Sequence, residues 1–398
     1  MPNILITGNG FDLSFGLPTA YSHFITILNE IENNASIDYE LIPKTTLSNN
    51  ILKQHFKEFE LDKTKIDLLK IEIKDNLWFN YFKNEYDLES WIDFEIKIEK
   101  ILILILSSSK NLRDQVFSIQ SINSTEEIEF KSILFQNNVD VMKCLEKFKI
   151  IELSEYYEIK LNKKYLIEKY NHYIDIDIKA ITDDLIKELD QFKKIFNQYF
   201  EIFVTPFYDN KISHSNDNKF LKIDYHYTFN FTTTFEKIYN TQIKTSYLHG
   251  NIGGGSNSIV LGINDIPNNQ IDRKYFLPFT KYFQKLNYQT NFEFISIIKK
   301  NKSLKYQFFF YGHSLDNSDK DYINEVFDFI DKSISIKIIV IYHDDNSKSK
   351  LLINLLDIRG KDNIQSLMKS QILIFRKNDS QSLIDDLDQD LNKTIYNL

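Results

Sequence analysis

The sequence predicts an α/β fold, Rossmann-like and doubly wound, with a mostly parallel sheet and a large helical insertion. An apolar strand-like run, Asn3-Ile-Leu-Ile-Thr7, leads into Gly8-Asn9-Gly10 and then a helix-like segment from Thr19 to Glu30, the opening of a β-α unit. Continuous apolar runs alternate with helix-like segments after about residue 200, as in a parallel sheet covered on both faces. Between the two lies a long stretch of different texture, rich in Lys, Glu, Ile and Leu. The expected division is therefore a Rossmann-like domain from residues 1–34 and 201–398, and a mainly helical insertion from 35–200.

The insertion is expected to hold helices around 50–75, 89–106, 127–149 and 178–200, where apolar residues recur at three- and four-residue spacings. The expected later strands are Ile202–Val204, Ser246–Leu248, Ser258–Gly262, Gln307–Tyr311, Ser335–Tyr342 and Gln371–Phe375. A helix is expected at Phe235–Tyr239, after threonines suited to its cap, and another from about Asp319 to Ile330.

Composition narrows the function. A net charge of -8 argues against broad phosphate neutralisation, so nucleic acid is not an expected partner. Cys144 is the only cysteine, which excludes an intramolecular disulfide and a four-cysteine zinc ribbon and fits a reducing compartment. The longest apolar run, Ile101–Leu106, is far too short to span a bilayer, and the N-terminus reaches a polar turn within eight residues. The expectation is a cytoplasmic protein with no membrane partner and no metal.

Three glycine-marked corners carry the candidate chemistry. At the first, Gly8 and Gly10 clear space for a phosphate or ribose beside Asn9, Phe11 and Asp12, with Gly16 and Thr19 following. The dinucleotide fingerprint is incomplete, since Leu13 stands where its third glycine belongs, and a tight turn without ligand is the competing reading. At the second, Asn230 stands at a strand-to-helix corner within Phe229-Asn-Phe-Thr-Thr-Thr234, able to orient a sugar hydroxyl or water, or only to bond turn backbone. His249 ends the next strand before Gly250, a better place for proton transfer than His23, His55, His172 or His214. At the third corner, Gly312, His313, Ser314 and Leu315 follow an apolar strand and offer hydrogen bonds to ribose or phosphate. Asp316, Asp319 and Asp321 lack the glycine and terminal glutamate of a calcium loop and read as helix-start carboxylates.

These blocks together resemble the bacterial abortive-infection AbiH family: Ile4-Leu-Ile-Thr-Gly-Asn-Gly-Phe-Asp-Leu13 with Gly16-Leu-Pro-Thr19, then Phe229-Asn-Phe-Thr232 with Leu248-His-Gly250 and Val260-Leu-Gly262, and Tyr311-Gly-His-Ser-Leu-Asp-Asn-Ser-Asp319. Trp91-Ile-Asp-Phe-Glu95 also resembles a W-x-D-x-E element of that family. The same order of elements is remotely similar to sirtuin-like NAD-consuming domains. Gly10 is followed after five residues by Gly16-Leu17-Pro18, and Asn230 and His249 match those domains' catalytic Asn and His in order. Thr19-Ala20-Tyr21 departs from the sirtuin acid-Phe-Arg continuation, and no zinc-binding cysteine set is present, so protein deacylation is not implied.

What the resemblance implies is a phage-defence effector that takes NAD, or a related nucleotide, as substrate and hydrolyses its nicotinamide–ribose bond. Asn230 and His249 would be catalytic, and Gly8, Asn9, Gly10, Phe11, Asp12, Gly16, Thr19, Gly312, His313, Ser314 and Leu315 would bind the dinucleotide. A phage-derived trigger, self-association or a defence-complex subunit would be the partners. The rival expectation is a nucleotide-binding sensor or scaffold without turnover; a nuclease has less support.

Overall fold

The computed structural model describes residues 2–33, 62–83, 91–118, 129–130, 139–153, 159–169, 173–206, 219–239, 242–253, 258–267, 273–288, 294–295, 298, 304–330 and 335–388. Strands in chain order are β1 (Asn3–Thr7), β2 (Glu129–Phe130), β3 (Ile151–Leu153), β4 (Ile159–Leu161), β5 (Leu166–Lys169), β6 (Tyr173–Ile176), β7 (Tyr225–Thr228), β8 (Thr245–Tyr247), β9 (Lys305–Tyr311), β10 (Ser335–Tyr342) and β11 (Leu373–Lys377). Helices are α1 (Asn9–Ser14), α2 (Tyr21–Asn33), α3 (Lys63–Asp75), α4 (Leu77–Phe82), α5 (Trp91–Ser118), α6 (Val139–Lys147), α7 (Ile178–Tyr199), α8 (Thr234–Tyr239), α9 (Arg273–Phe276), α10 (Lys281–Tyr288), α11 (Lys320–Asp328), α12 (Asp345–Arg359), α13 (Lys361–Lys369) and α14 (Gln381–Asp388).

Six strands form one all-parallel sheet in the order β8-β7-β1-β9-β10-β11. By chain position within the sheet this is third, second, first, fourth, fifth, sixth, the arrangement typical of dinucleotide-binding sheets. The strand order reverses between β1 and β9, and their carboxyl ends, Thr7 and Tyr311, lie side by side in register. A crevice opens there, because the connections leave the two strands in opposite directions.

Both faces of the sheet are covered, which is why its strands read as unbroken apolar runs. Successive side chains of a strand point to opposite faces. Leu5, Phe309 and Ile339 join Phe24, Phe94, Phe192 and Phe196 in one core, so α2, α5 and α7 pack on that face. Ile4, Ile6, Phe308, Phe310, Ile338 and Val340 pack on the other face against Ile323, Val326, Leu355 and Ile364 of α11, α12 and α13. The helical segment thus shares a core with the sheet. Phe94 of α5 stacks on Phe192 of α7 at 5.3 Å, and the Trp78 indole donates to the Leu185 carbonyl at 3.1 Å.

Several elements differ from expectation for local reasons. The apolar triple Ile202-Phe-Val204 is a π-helical continuation of α7, over Phe200–Val204, because Phe203 packs on Tyr199 one turn earlier. Ser258–Gly262 is no strand; Ile263 makes an isolated bridge to Thr280 instead. Within the expected helix 127–149 the described residues form β2 and α6, while 127–128 and 131–138, like 89–90 of another expected helix, lie outside the described residues; small antiparallel sheets, β2-β4-β3 and β5-β6, add strands to a segment read as mainly helical. Residues 50–61 of an expected helix lie outside the described residues. The opening corner holds a short helix, α1, before α2.

Candidate active site

The crevice deepens into a cavity of about 510 Å³ lined from the ends of β1, β7, β8, β9 and β10 and from α5, α10 and α12. Its floor is the contact between the β1 and β9 corners. Gly8 N–H donates to the Tyr311 carbonyl (3.1 Å) and Gly10 N–H to the Gly312 carbonyl (2.8 Å). A methyl at Gly8 would stand 2.6 Å from His313 Cα, and one at Gly10 2.8 Å from Gly312 Cα. Gly312 itself has φ +68°, and a methyl there would meet the Phe11 nitrogen at 2.1 Å. The glycines serve a close approach, as the sequence suggests, but the approaching body is the chain's own β9 corner. Their two amides are therefore not free donors for phosphate.

Asn230 and Asp12 stand above this floor. Asn230 Nδ2–H donates to the Gly8 carbonyl (3.0 Å), and its backbone N–H donates to Thr228 Oγ1 (3.0 Å), so the carboxamide is fixed at the β7-to-α8 corner. Asp12 is buried; Thr232 Oγ1–H donates to its Oδ2 (2.6 Å), while Oδ1 has no hydrogen-bond partner among the described residues. Burial pushes the Asp12 carboxyl up to about 6, against the hydrogen bond of Thr232 and the nearby polar groups of Thr234 and Asn230. Asp12 lines the cavity, and its buried, unsatisfied acceptor calls for a polar partner such as a ligand hydroxyl.

Beyond Asn230 lies a charged cluster. His249 Nε2 is 3.2 Å from Asp319 Oδ1 and His313 Nε2 is 3.3 Å from Asp319 Oδ2. The first contact is out of line for a hydrogen bond, since neither His249 Nε2 nor Asp319 Oδ1 has such a partner among the described residues. Leu315 N–H donates to His313 Nδ1 (2.9 Å), which assigns the ring proton to Nε2, on the Asp319 side, and gives His313 a bracing role. Lys281 Nζ lies 2.7 Å from Glu95 Oε2 and 3.6 Å from Asp319 Oδ1.

The cluster sets its own charges. Burial opposes ionisation of Asp319, but Lys281 and His249 hold its carboxyl well below the usual range. Burial, then Lys281, brings His249 down to about 4, against the pull of Asp319, so the imidazole is neutral near pH 7. Burial pushes Glu95 up to about 7 despite Lys281. Burial also works against Lys281, yet Glu95 and Asp319 hold its ammonium above the ordinary value.

The outer half of the cavity is different. Tyr342 and His343 close the end of β10, and Ser347, Lys350, Leu351 and Asn354 come from α12. Asn354 Nδ2–H donates to the Ser314 carbonyl (2.9 Å), tying α12 to the β9 corner. His343 and Lys350 are exposed. Among the described residues, no carboxylate side chain from this half lines the cavity, whereas Asp12, Glu95 and Asp319 all line the inner half.

Of the residues singled out in the sequence, Gly8, Asn9, Gly10, Asp12, Thr19, Asn230, His249, Gly312, His313 and Ser314 line this one cavity. Phe11, Gly16 and Leu315 do not line it. Phe11 and Leu315 are core side chains, Leu315 in the left-handed region at φ +54°, and Gly16 serves the turn after α1. Asp316 caps the short helix Asn317–Asp319 by accepting from Ser318 N–H (3.0 Å), and Asp321 lies in the first turn of α11, as helix-start carboxylates should. Asp319 does not act as one: it makes no cap bond and is drawn into the cavity between two histidines. Lys281 was invisible as a site residue, because a lysine in an amphipathic helix reads as solvent-exposed. The β10 end was findable, since carboxyl ends of parallel strands line the crevice in open α/β sheets.

Fold and cavity define a Rossmann-like α/β protein with a cavity at the switch point of its sheet. Residues 4–342 match the model of the family described as bacteriophage abortive infection AbiH; the chain belongs to that family, and its role is in phage defence by abortive infection. No curated protein and no solved structure matches it. No helix among the described residues is long and apolar enough to cross a membrane.

Proposed function

We propose that the chain is the effector enzyme of its defence system, binding NAD in the crevice and hydrolysing the bond between nicotinamide and ribose. The observation that carries this reading is the division of charge within one cavity at the sheet's switch point. Nicotinamide riboside is the cationic end of NAD, and the inner half of the cavity supplies three carboxyl groups, Asp12, Glu95 and Asp319, against one ammonium, Lys281. The diphosphate is anionic, and the outer lining supplies Lys350 and hydroxyl groups with no carboxylate among its described lining residues, Asp344 standing beside His343 outside that lining. The remote sirtuin-like order of motifs points the same way, since Asn230 and His249 line the inner half together.

In this mechanism the C1′–N bond breaks and its electron pair leaves with nicotinamide, which departs neutral from a cationic ring. The ribose left behind is oxocarbenium-like and demands orientation more than acid catalysis. Asn230, fixed through the Gly8 carbonyl, orients ribose or water. Asp12 accepts from a ribose hydroxyl through its unpartnered oxygen. Water adds to C1′ and gives its proton to His249, whose neutral ring is in the accepting state. With a proton on Nε2, facing ionised Asp319, the accepting nitrogen is Nδ1. The products are nicotinamide, ADP-ribose and one proton.

The weak basicity of His249, brought down to about 4, favours a second reading, a nucleotide-binding sensor without turnover. NAD measured in infected cells separates the two. The effector predicts NAD loss with rising nicotinamide in cells carrying the wild-type chain and none in cells carrying His249→Ala. Protection with NAD intact would overturn hydrolysis and leave the sensor.

A further inference from the structure

Asp319 Oδ1 is contested. His249 Nε2 approaches it to 3.2 Å from the end of β8, and Lys281 Nζ approaches the same oxygen to 3.6 Å from the start of α10. Lys281 is held back by a carboxylate on the far side, Glu95 Oε2 at 2.7 Å. Glu95 belongs to α5, inside the helical segment that interrupts the Rossmann-like elements, and it lines the same cavity as Asn230 and His249. The side chains of His249, Asp319 and Lys281 are 10% exposed or less and that of Glu95 13%, so solvent replaces a lost partner poorly.

We propose that Glu95 is a positioning residue of the catalytic centre: by holding Lys281 it keeps Asp319 Oδ1 facing His249, and the protonation of Glu95 sets the acidic limb of the reaction. This rests on the hydrolytic reading given above. The groups facing Glu95 are Lys281 from α10 and Asp319 and Asp316 from the segment between β9 and α11. Lys285, one turn along α10 and beside Tyr322, adds its charge to the Lys281 side. When Glu95 gains a proton, Lys281 stays charged and turns to the remaining carboxylate, Asp319. His249 then loses the anion that orients its ring and supports the imidazolium formed on proton transfer. Glu95 is poised near neutrality, pushed up to about 7 by burial; His249, brought down to about 4, is too low for a limb there, and Asp12, pushed up to about 6, would place its own limb below that of Glu95 and leave it in place in Glu95→Gln.

The test uses the full chain in two readouts. Nicotinamide release is followed from about pH 5.5 to 8.5 for the wild type, Glu95→Gln, Glu95→Asp and the Glu95→Gln/Lys281→Met double variant. Expected are a wild-type kcat that falls below about pH 7 and a Glu95→Gln kcat roughly 10-fold or more lower at high pH, with little change in KM and no limb near neutrality. The double variant should recover part of the loss, since no ammonium remains to claim Asp319. A purely structural role for Glu95 predicts no such rescue. The second readout needs no substrate. In the ligand-free protein with 15N-labelled histidine, His249 and His313 signals should step near pH 7 in the wild type and in Glu95→Asp, displaced in the latter, and not in Glu95→Gln. A limb or step that persists unchanged in Glu95→Gln overturns the assignment. Absence of nicotinamide release from every form would refute the hydrolytic reading, while the histidine step would still decide the role of Glu95.

Discussion

The inner and outer halves of the cavity share a floor and differ in construction. The inner half is a buried network, Glu95–Lys281–Asp319 with His249 and His313, drawn from α5, α10, the β9-to-α11 turn and the end of β8. The outer half is the exposed end of β10 and one face of α12, with Lys350 and His343 open to solvent. Charges in the first act at low dielectric and depend on each other; charges in the second are screened and act nearly alone. The difference teaches where chemistry and where mere attraction should reside. Substitutions inside should change turnover, and substitutions outside should change affinity.

The largest expected effect is inside. His249→Ala and Asn230→Ala should each lower kcat for nicotinamide release by about 10²- to 10⁴-fold while the folded state survives, measured by turnover beside circular dichroism. Equal losses in KM and none in kcat would place both residues in binding alone. Next comes the shared floor. Gly312→Ala adds a methyl 2.1 Å from the Phe11 nitrogen at φ +68°, and should cost about 2–4 kcal/mol in denaturant unfolding and weaken both halves at once. Full stability in that variant would mean the two corners are not pressed together.

A third expectation concerns acid. His226, buried between Thr7 Oγ1 (3.0 Å) and Thr245 Oγ1 (2.9 Å), is brought down by burial to about 3, and His249 to about 4. The unfolded chain takes up these protons near 6.5 and the folded chain resists, so this stability is complete above pH 6.5 and lost as pH falls. Asp12 and Glu95 act with the opposite sign, since burial raises both. The difference between wild type and His226→Phe isolates one histidine: between pH 6.5 and 5 the wild type should lose roughly 1.5 kcal/mol more than the variant. Parallel curves would show that His226 takes up its proton as readily in the fold as in the unfolded chain. The smallest effect is outside. Lys350→Ala should raise KM about 3- to 10-fold with kcat unchanged, and added salt should erase the difference. A fall in kcat instead would end the separation of the halves.

The sheet was legible because parallel strands covered on both faces leave unbroken apolar runs; Ser335–Tyr342 is a strand with the expected bounds. Ile202-Phe-Val204 looks the same locally, and only the aromatic contacts of Phe203 and Tyr199 make it helical. The glycines signalled close approach, yet nothing near Gly8 in sequence says that Gly312 is what approaches. Asn230 and His249 were readable because each follows a strand at a corner. Glu95, Lys281 and Asp319 were unreadable as a unit, because each looks like a solvated helix charge and their meeting is wholly tertiary.

The measurement that bears most directly on the central claim is incubation of the purified full chain with NAD, with nicotinamide and ADP-ribose quantified for the wild type and for folded Asn230→Ala and His249→Ala. The account predicts equal amounts of the two products from the wild type and neither from the variants. NAD bound by the wild type but left intact, or consumed equally by all three proteins, would contradict it.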